Sequence, residues 1–290
     1  MKYAYYPGCS LHSTAKDYDI STRAVCQALD IGLQEIPDWI CCGASSAHMT
    51  SELLSLSLAV KNLALAKDMG LDTVVCCAEC YSRLKVANKV MRSGENAHVR
   101  DVDEAVGTTY RGESKVKHLL EVVSDEYGLD ALQAKVTRDL GELNVAAYYG
   151  CLLVRPPDVT GFDDPDDPTV MDKIITAVGA KAVDWPYKTE CCGSSLTLTR
   201  TDIVLKLCRD IYQMAADQGA ECLLVACPMC QSNLDMRQSQ VNRRYKTDFD
   251  LPVIYFTQLI GLALGMKPGE LGLNKLIVSP TKLLAAKITG

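Results

Sequence analysis

A chain of 290 residues with 48% hydrophobic and 23% charged residues has enough apolar mass for two packed cores and too much for a disordered polymer. Acidic side chains outnumber basic ones 36 to 30, and the net charge of −6 argues against a surface that tracks nucleic-acid phosphates. There is no run of about 18 apolar residues, and the opening MKYAYYPGCS lacks the apolar stretch of a signal peptide, so the sequence predicts a cytoplasmic protein without a transmembrane segment.

The first predicted element is a short strand, Tyr3 to Tyr6, leading into Cys9. A helix over about Asp17 to Asp30 follows, then a second short apolar run after Gly32, closed by Pro37. Next come Cys41, Cys42 and Gly43, and an apolar helix from Leu53 to Leu65 whose C-cap falls at Gly70. A third strand, Thr73 to Val75, runs into Cys77 and Cys80. The charged segment from about Asn88 to Gly141 carries helical runs at Val116 to Val123 and Leu129 to Val136, and its simplest role is to cover the first sheet.

From residue 144 the same string starts again. Val145 to Tyr149 leads into Cys151, a helix spans about Thr169 to Val178, and a run after Gly179 ends at Pro186, before Cys191, Cys192 and Gly193. Ile203, Val204, Leu207, Ile211, Tyr212 and Ala215 recur at helical spacing, Gly219 takes the C-cap place, and Leu223 to Val225 leads into Cys227 and Cys230. Cys151 follows Cys9 by 142 positions, whereas Cys191 follows Cys41, and Cys227 follows Cys77, by 150. The difference fits an insertion in the second copy, placed in the acidic, proline-rich loop around Pro156 to Pro168. Three motifs in one order at matched spacing mark an internal duplication, with halves at 1–143 and 144–290. After Gly265, the run including Leu276 to Pro280 is an apolar patch that either docks on a partner or tucks against the core.

Strand, helix, strand, helix, strand implies an α/β fold of two similar Rossmann-like halves, each a parallel sheet with right-handed crossovers. In such a sheet all three cysteine groups of a half lie just past C-terminal strand ends, where open α/β sheets place ligands and helix N-termini favour anions. The first set is Cys9, Cys41, Cys42, Cys77 and Cys80; the second is Cys151, Cys191, Cys192, Cys227 and Cys230. Five soft thiolates with a vicinal pair suit an iron–sulfur cluster better than one tetrahedral zinc ion, because adjacent residues rarely aim at the same atom but can bind different irons. Fourteen cysteines in a chain of this length, paired and in CxxC spacing, read as metal or redox chemistry before disulfides.

Gly43 and Gly193 let the backbone turn or approach a cluster, and Pro7 and Pro228 stiffen the ligand loops or end a strand. Cys26, Cys208 and Cys222 read as packing residues, and Cys76 is no ligand because its counterpart is Ala226. Of the four histidines, at 12, 48, 98 and 118, His12 and His48 follow ligand cysteines and could donate protons to a leaving thiolate, an asymmetry that would mark the working cluster; their counterparts, Val154 and Leu198, do not titrate, and a plain surface or loop histidine is the favoured reading for each.

These tandem C…CCG…CxxC repeats resemble the CCG-domain family, and two copies filling a chain of this length resemble the B subunits of heterodisulfide reductases. The resemblance spans essentially the whole chain and all ten signature cysteines. It implies two non-cubane [4Fe-4S] clusters, one per set of five cysteines, and reduction between them of a small disulfide such as that of coenzymes M and B in methanogenesis. It also implies partners: a C subunit with cubane iron–sulfur clusters and a flavin-containing A subunit, with a hydrogenase or formate dehydrogenase as a further electron source. No GxGxxG is present, which agrees with electrons arriving from other proteins of the complex. CCG repeats also occur in lactate-, glycolate- and glycerol-3-phosphate-oxidising enzymes, in thiol-dependent fumarate reductase and in heterodisulfide-reductase-like complexes of sulfur oxidisers and sulfate reducers. An electron relay, and a zinc-stabilised scaffold, therefore stand beside the disulfide reductase. The CxxCxxCxxxC motif of the fused fumarate- or glycerol-3-phosphate-type proteins is absent from the sequence.

Overall fold

In a computed structural model, residues 1–44, 46–95 and 97–287 are described. Ser45 of the first CCG loop, Asn96 of the joining segment and the last three residues of the second half lie outside them. The first half runs β1 (Lys2–Tyr6), α1 (Gly8–His12), α2 (Lys16–Ala28), β2 (Gly32–Glu35), α3 (Glu52–Asp68), β3 (Thr73–Val75), α4 (Ala78–Ser93) and β4 (Val116–His118). The second runs β5 (Asn144–Tyr148), α5 (Pro157–Thr160), α6 (Val170–Ala177), β6 (Lys181–Ala182), α7 (Thr201–Asp217), β7 (Cys222–Val225), α8 (Pro228–Met236), β8 (Val253–Tyr255) and α9 (Phe256–Ala263).

Each half is a four-stranded, wholly parallel sheet, ordered β2-β1-β3-β4 and β6-β5-β7-β8. The chain leaves β1 towards β2 on one side and reaches β3 on the other, so the sheet switches direction between β1 and β3, as it does between β5 and β7. Open α/β sheets generally place their ligands at such a reversal. The central strands are buried on both faces: Tyr3 to Tyr6, and Val145 to Tyr148, are all in the core.

Local chemistry sets the helix bounds. The Ser51 side chain accepts the Leu54 N–H at 3.3 Å and starts α3. α4 stops at Gly94, whose left-handed φ of +69° lets its N–H return to the Val90 carbonyl. Pro228 opens α8, where its missing N–H costs no hydrogen bond.

The structure departs from the sequence reading at the fourth strand. Val116 to Val123, expected to be helical, begins as strand β4, registered Thr73↔Val116 to Val75↔His118, and turns helical only from Leu119. The joining segment thus completes the first sheet as well as covering it. The run after Gly265 tucks against the core: Leu271 and Leu273 are buried, and the Ile277 and Val278 N–H groups each donate to the Asp235 carboxylate at 2.8 Å. Among the described residues, no helix is long and apolar enough to cross a membrane.

The halves meet through α2 and α9. Tyr18 stacks on Tyr255 with ring centroids 3.9 Å apart, and the Ser21 and Thr257 hydroxyls are 2.7 Å apart. Both contacts are buried, so they hold the two halves in a fixed relation.

Candidate metal centre

The first cysteine and the CxxC of each half stand within five residues of a strand end, whereas the vicinal pairs begin six residues past β2 and nine past β6. Cys9 sits in the first turn of α1 directly after β1, Cys77 is the N-cap of α4 after β3, and Cys227 is the N-cap of α8 after β7. Each vicinal pair is fastened from below by a core tyrosine: the Tyr6 hydroxyl donates to the Ile40 carbonyl at 2.8 Å, and the Tyr148 hydroxyl to the Glu190 carbonyl at 2.6 Å. Asn62 adds a second clamp in the first half, accepting from the Ile40 N–H at 2.8 Å and donating to its carbonyl at 3.0 Å.

Glycine makes room for the thiols. Gly8 and Gly150 have φ of +68° and +66°, and a Cβ on either would stand 3.2 Å from Cys80 Sγ or 3.0 Å from Cys230 Sγ. After the vicinal pairs, Gly43 and Gly193 turn with φ of +76° and +78°, and their N–H groups point back at Cys41 Sγ (3.4 Å) and Cys191 Sγ (3.3 Å). An alanine at 43 would bring its Cβ to 2.7 Å from Ala47 Cβ. The conformation and the space both demand glycine.

The sulfurs are not two separate groups. Cys41 touches Cys42, Cys42 Sγ lies 3.2 Å from Cys80 Sγ, and Cys80 meets Cys77. Cys77 is in hydrogen-bond contact with Cys227 of the other half; Cys227 meets Cys230, which is 3.6 Å from Cys192. A row of seven thiols therefore crosses the seam, with the Cys151–Cys191 pair beside its far end. Cys9, Cys41 and Cys191 are exposed and Cys151 is half-buried, while the inner six are buried. Among the described residues, no three Cys, His, Asp or Glu side chains gather in the geometry that would hold a single ion.

The electrostatics favour thiolate at particular points. Hydrogen bonds from Cys41 and then Cys80 hold Cys42 well below the ordinary thiol range. Cys191 falls to about 6, chiefly because Cys151 donates to it, with help from the Gly193 N–H. Cys227 is lowered by Cys230, Cys77 and the Met229 and Cys230 N–H groups at the start of α8. These are preformed acceptor positions for cations, built from soft sulfur.

Of the cysteines outside the sets, Cys208 Sγ lies 3.9 Å from the Cys192 carbonyl, behind the vicinal pair. Cys76 Sγ lies 3.7 Å from the Thr22 hydroxyl in the core, where burial pushes it up to about 12; Cys26, Cys208 and Cys222 are buried as well. His12 pairs with Glu35 at 3.1 Å and packs edge-on against Trp39, and His48 is exposed.

Three contributors escaped the sequence reading. The Tyr18 hydroxyl reaches the carbonyls of both Cys76 (3.1 Å) and Ala226 (3.5 Å), the residues preceding each CxxC. His118 Nε2 also bonds the Cys76 carbonyl at 2.9 Å. Glu79, inside the first CxxC, accepts from Ser194 of the opposite CCG loop at 3.0 Å, and burial followed by the nearby Cys227 raises its carboxyl to about 7. A signal for the tyrosine clamps was present: Tyr6 and Tyr148 each stand three residues before the first cysteine of their half.

The cysteine-rich CCG domain family matches residues 3–85 and again 145–235. The chain is 34% identical over 97% of its length to the membrane anchor protein of the 8-methylmenaquinol:fumarate reductase of Wolinella succinogenes, covering 99% of that protein. It is 30% identical over 98% of its length to the B subunit of the ferredoxin:CoB-CoM heterodisulfide reductase of Methanosarcina mazei, covering 96% of it. A protein of Archaeoglobus profundus, named as similar to the heterodisulfide reductase B subunit, is 27% identical over 92% of each chain. Among solved structures, a hypothetical protein from Helicobacter pylori superposes with a TM-score of 0.76 at 16% identity, over 96% of this chain and 52% of that one, which shows the shared fold.

Proposed function

This chain belongs to the family of tandem cysteine-rich CCG-domain proteins, whose members include subunits of oxidoreductases, and from that premise we propose that it is the iron–sulfur subunit of a heterodisulfide reductase, reducing a small disulfide between two non-cubane [4Fe-4S] clusters. The observation that carries this reading is the thiol row, in which the two sets adjoin through Cys77 and Cys227. Cys9, Cys41, Cys42, Cys77 and Cys80 would hold one cluster, and Cys151, Cys191, Cys192, Cys227 and Cys230 the other.

The donor set fits such a group: it is cysteine sulfur throughout, with Cys42, Cys191 and Cys227 already favoured as thiolates, and it is cleared of side chains at Gly8 and Gly150. Two clusters supply single electrons, and a disulfide takes two. The protein's own part is positional. Tyr18 and His118 fix the two CxxC turns against each other, the buried inner thiols keep water from the seam, and Glu79 with Ser194 ties one ligand turn to the opposing loop. The partners would be a cubane-cluster C subunit and a flavin-containing A subunit.

A second reading has its own support: the relative from Wolinella succinogenes, at 34% identity, is named for a fumarate reductase, so the same quintets would serve a relay that passes electrons without binding a disulfide. Electron paramagnetic resonance of the anaerobically prepared complex, with and without candidate disulfides, separates the two. The disulfide reductase predicts a new signal that depends on substrate. Indifference to every disulfide would assign the chain to the relay.

A further inference from the structure

Away from the thiols, on the outer side of α4, lies a cavity of about 430 Å³ whose wall includes Lys85, Lys89, Arg92, Lys115, Lys117 and Asp158. Five cations and one carboxylate line the wall, with Asp72 and Glu126 paired to Lys117 beside it, in a chain whose net charge is −6. Lys85, Lys89 and Arg92 follow at four- and three-residue steps and so form one face of α4, with about 5–6 Å between neighbours. Lys115 and Lys117, two positions apart at strand β4, supply a second row.

These charges are only partly used. Lys117 pairs with Glu126 and, at 3.6 Å, with Asp72; Lys89 meets Asp158 at 2.7 Å; Lys85 donates to the Thr160 carbonyl at 3.0 Å and lies over the Tyr81 ring, with the Glu121 carboxylate near it. Among the described residues, the exposed Arg92 guanidinium and Lys115 ammonium make no hydrogen bond or ion pair.

The duplication provides an internal control. At the corresponding places in the second half stand Asp235, Ser239, Asn242, Pro252 and Ile254, without one cation. There Asp235 is taken up by the Ile277 and Val278 N–H groups of the chain's own C-terminal run. One copy of the fold fills this face with itself, while the other leaves it concave and basic.

We propose that this cavity binds a compact polyanion, a di- or triphosphate group or a small molecule carrying one. Its volume lies in the range of small-ligand sites, and paired rows of Lys and Arg suit phosphate oxygens, which accept several charge-assisted hydrogen bonds at once. The second half contributes α5 to the wall, so the ligand bridges the two halves and competes with Asp158 for Lys89. The site does not depend on the disulfide reading.

Isothermal titration calorimetry of the cluster-loaded full chain with pyrophosphate, and separately with inorganic phosphate, tests this. Saturable 1:1 binding of pyrophosphate is expected, at least about tenfold tighter than phosphate and weakened by salt. Arg92→Gln with Lys115→Gln should weaken it about a hundredfold, at roughly tenfold per lost charge contact, while Arg92→Lys and the distant Lys206→Gln leave it nearly intact. Both altered residues are exposed, so folding is not at stake. No saturable binding, undiminished binding by the double variant, or equal loss in Lys206→Gln would overturn the proposal. So would poly-L-glutamate binding more tightly than pyrophosphate with the same dependence on Arg92 and Lys115, which would make the surface a dock for an acidic protein.

Discussion

Cys76 and Cys77 are neighbours in sequence with opposite surroundings. Cys76 turns into the core beside Thr22, and Cys77 joins the thiol row across the seam. Cys41→Ala or Cys191→Ala should therefore each remove the iron and acid-labile sulfide of one cluster and abolish disulfide reduction, whereas Cys76→Ala should keep both at the cost of about 1 kcal/mol of packing. Metal and sulfide analysis of the three purified variants checks this; equal loss from Cys76→Ala would mean the ligand set is misassigned. The ligand candidates were legible because the repeat itself singles out ten of fourteen cysteines. Tyr6 and Tyr148 were marked only by their shared place three residues before the first cysteine of each half; the use of their hydroxyls was not legible, since a tyrosine closing an apolar strand looks the same whether its hydroxyl is used or not.

Six of the eight strands could be read from apolar runs leading to a cysteine or a proline, but β4 and β8 could not. The stretch VKHLLEVV places apolar side chains at 116, 119, 120, 122 and 123, a helical spacing, and three residues of strand do not outweigh it. What makes Val116–His118 extended is its pairing with β3, a long-range contact absent from local pattern. The packing of α2 on α9 was equally hidden, because the rows of Tyr18, Ser21, Tyr255 and Thr257 carry no motif. Removing the Tyr18 hydroxyl by Tyr18→Phe orphans its share of two buried carbonyls. It should destabilise the protein by about 1–3 kcal/mol in urea unfolding while iron content stays the same. Loss of iron at unchanged stability would instead put Tyr18 in the cluster site.

For the molecule as a whole, stability is tied to a neutral imidazole at the seam. His118 Nδ1 accepts the Leu120 N–H at 3.2 Å, so the proton sits on Nε2, which donates to the Cys76 carbonyl. Burial lowers its pKa to about 4. A histidine depressed in the folded state binds its proton more readily when unfolded, so its contribution is complete above about pH 6.5 and declines as pH falls from there towards 4, by about 3 kcal/mol in all. His118→Gln should flatten that part of the stability–pH curve, read as unfolding midpoints at pH 7.5 and 5 relative to wild type; an unchanged slope would show that His118 titrates freely.

Two crossing contacts at the seam end on equivalent positions, 79 and 229, of unlike chemistry. Ser194 donates to the Glu79 carboxylate, and Ser10 approaches the Met229 sulfur at 3.9 Å from the other side. A homodimer of identical single-domain chains, the natural ancestor of such a duplication, would carry the same residue at both places by symmetry. In one continuous chain the two positions vary independently, so one side of the seam carries a carboxylate and the other a thioether.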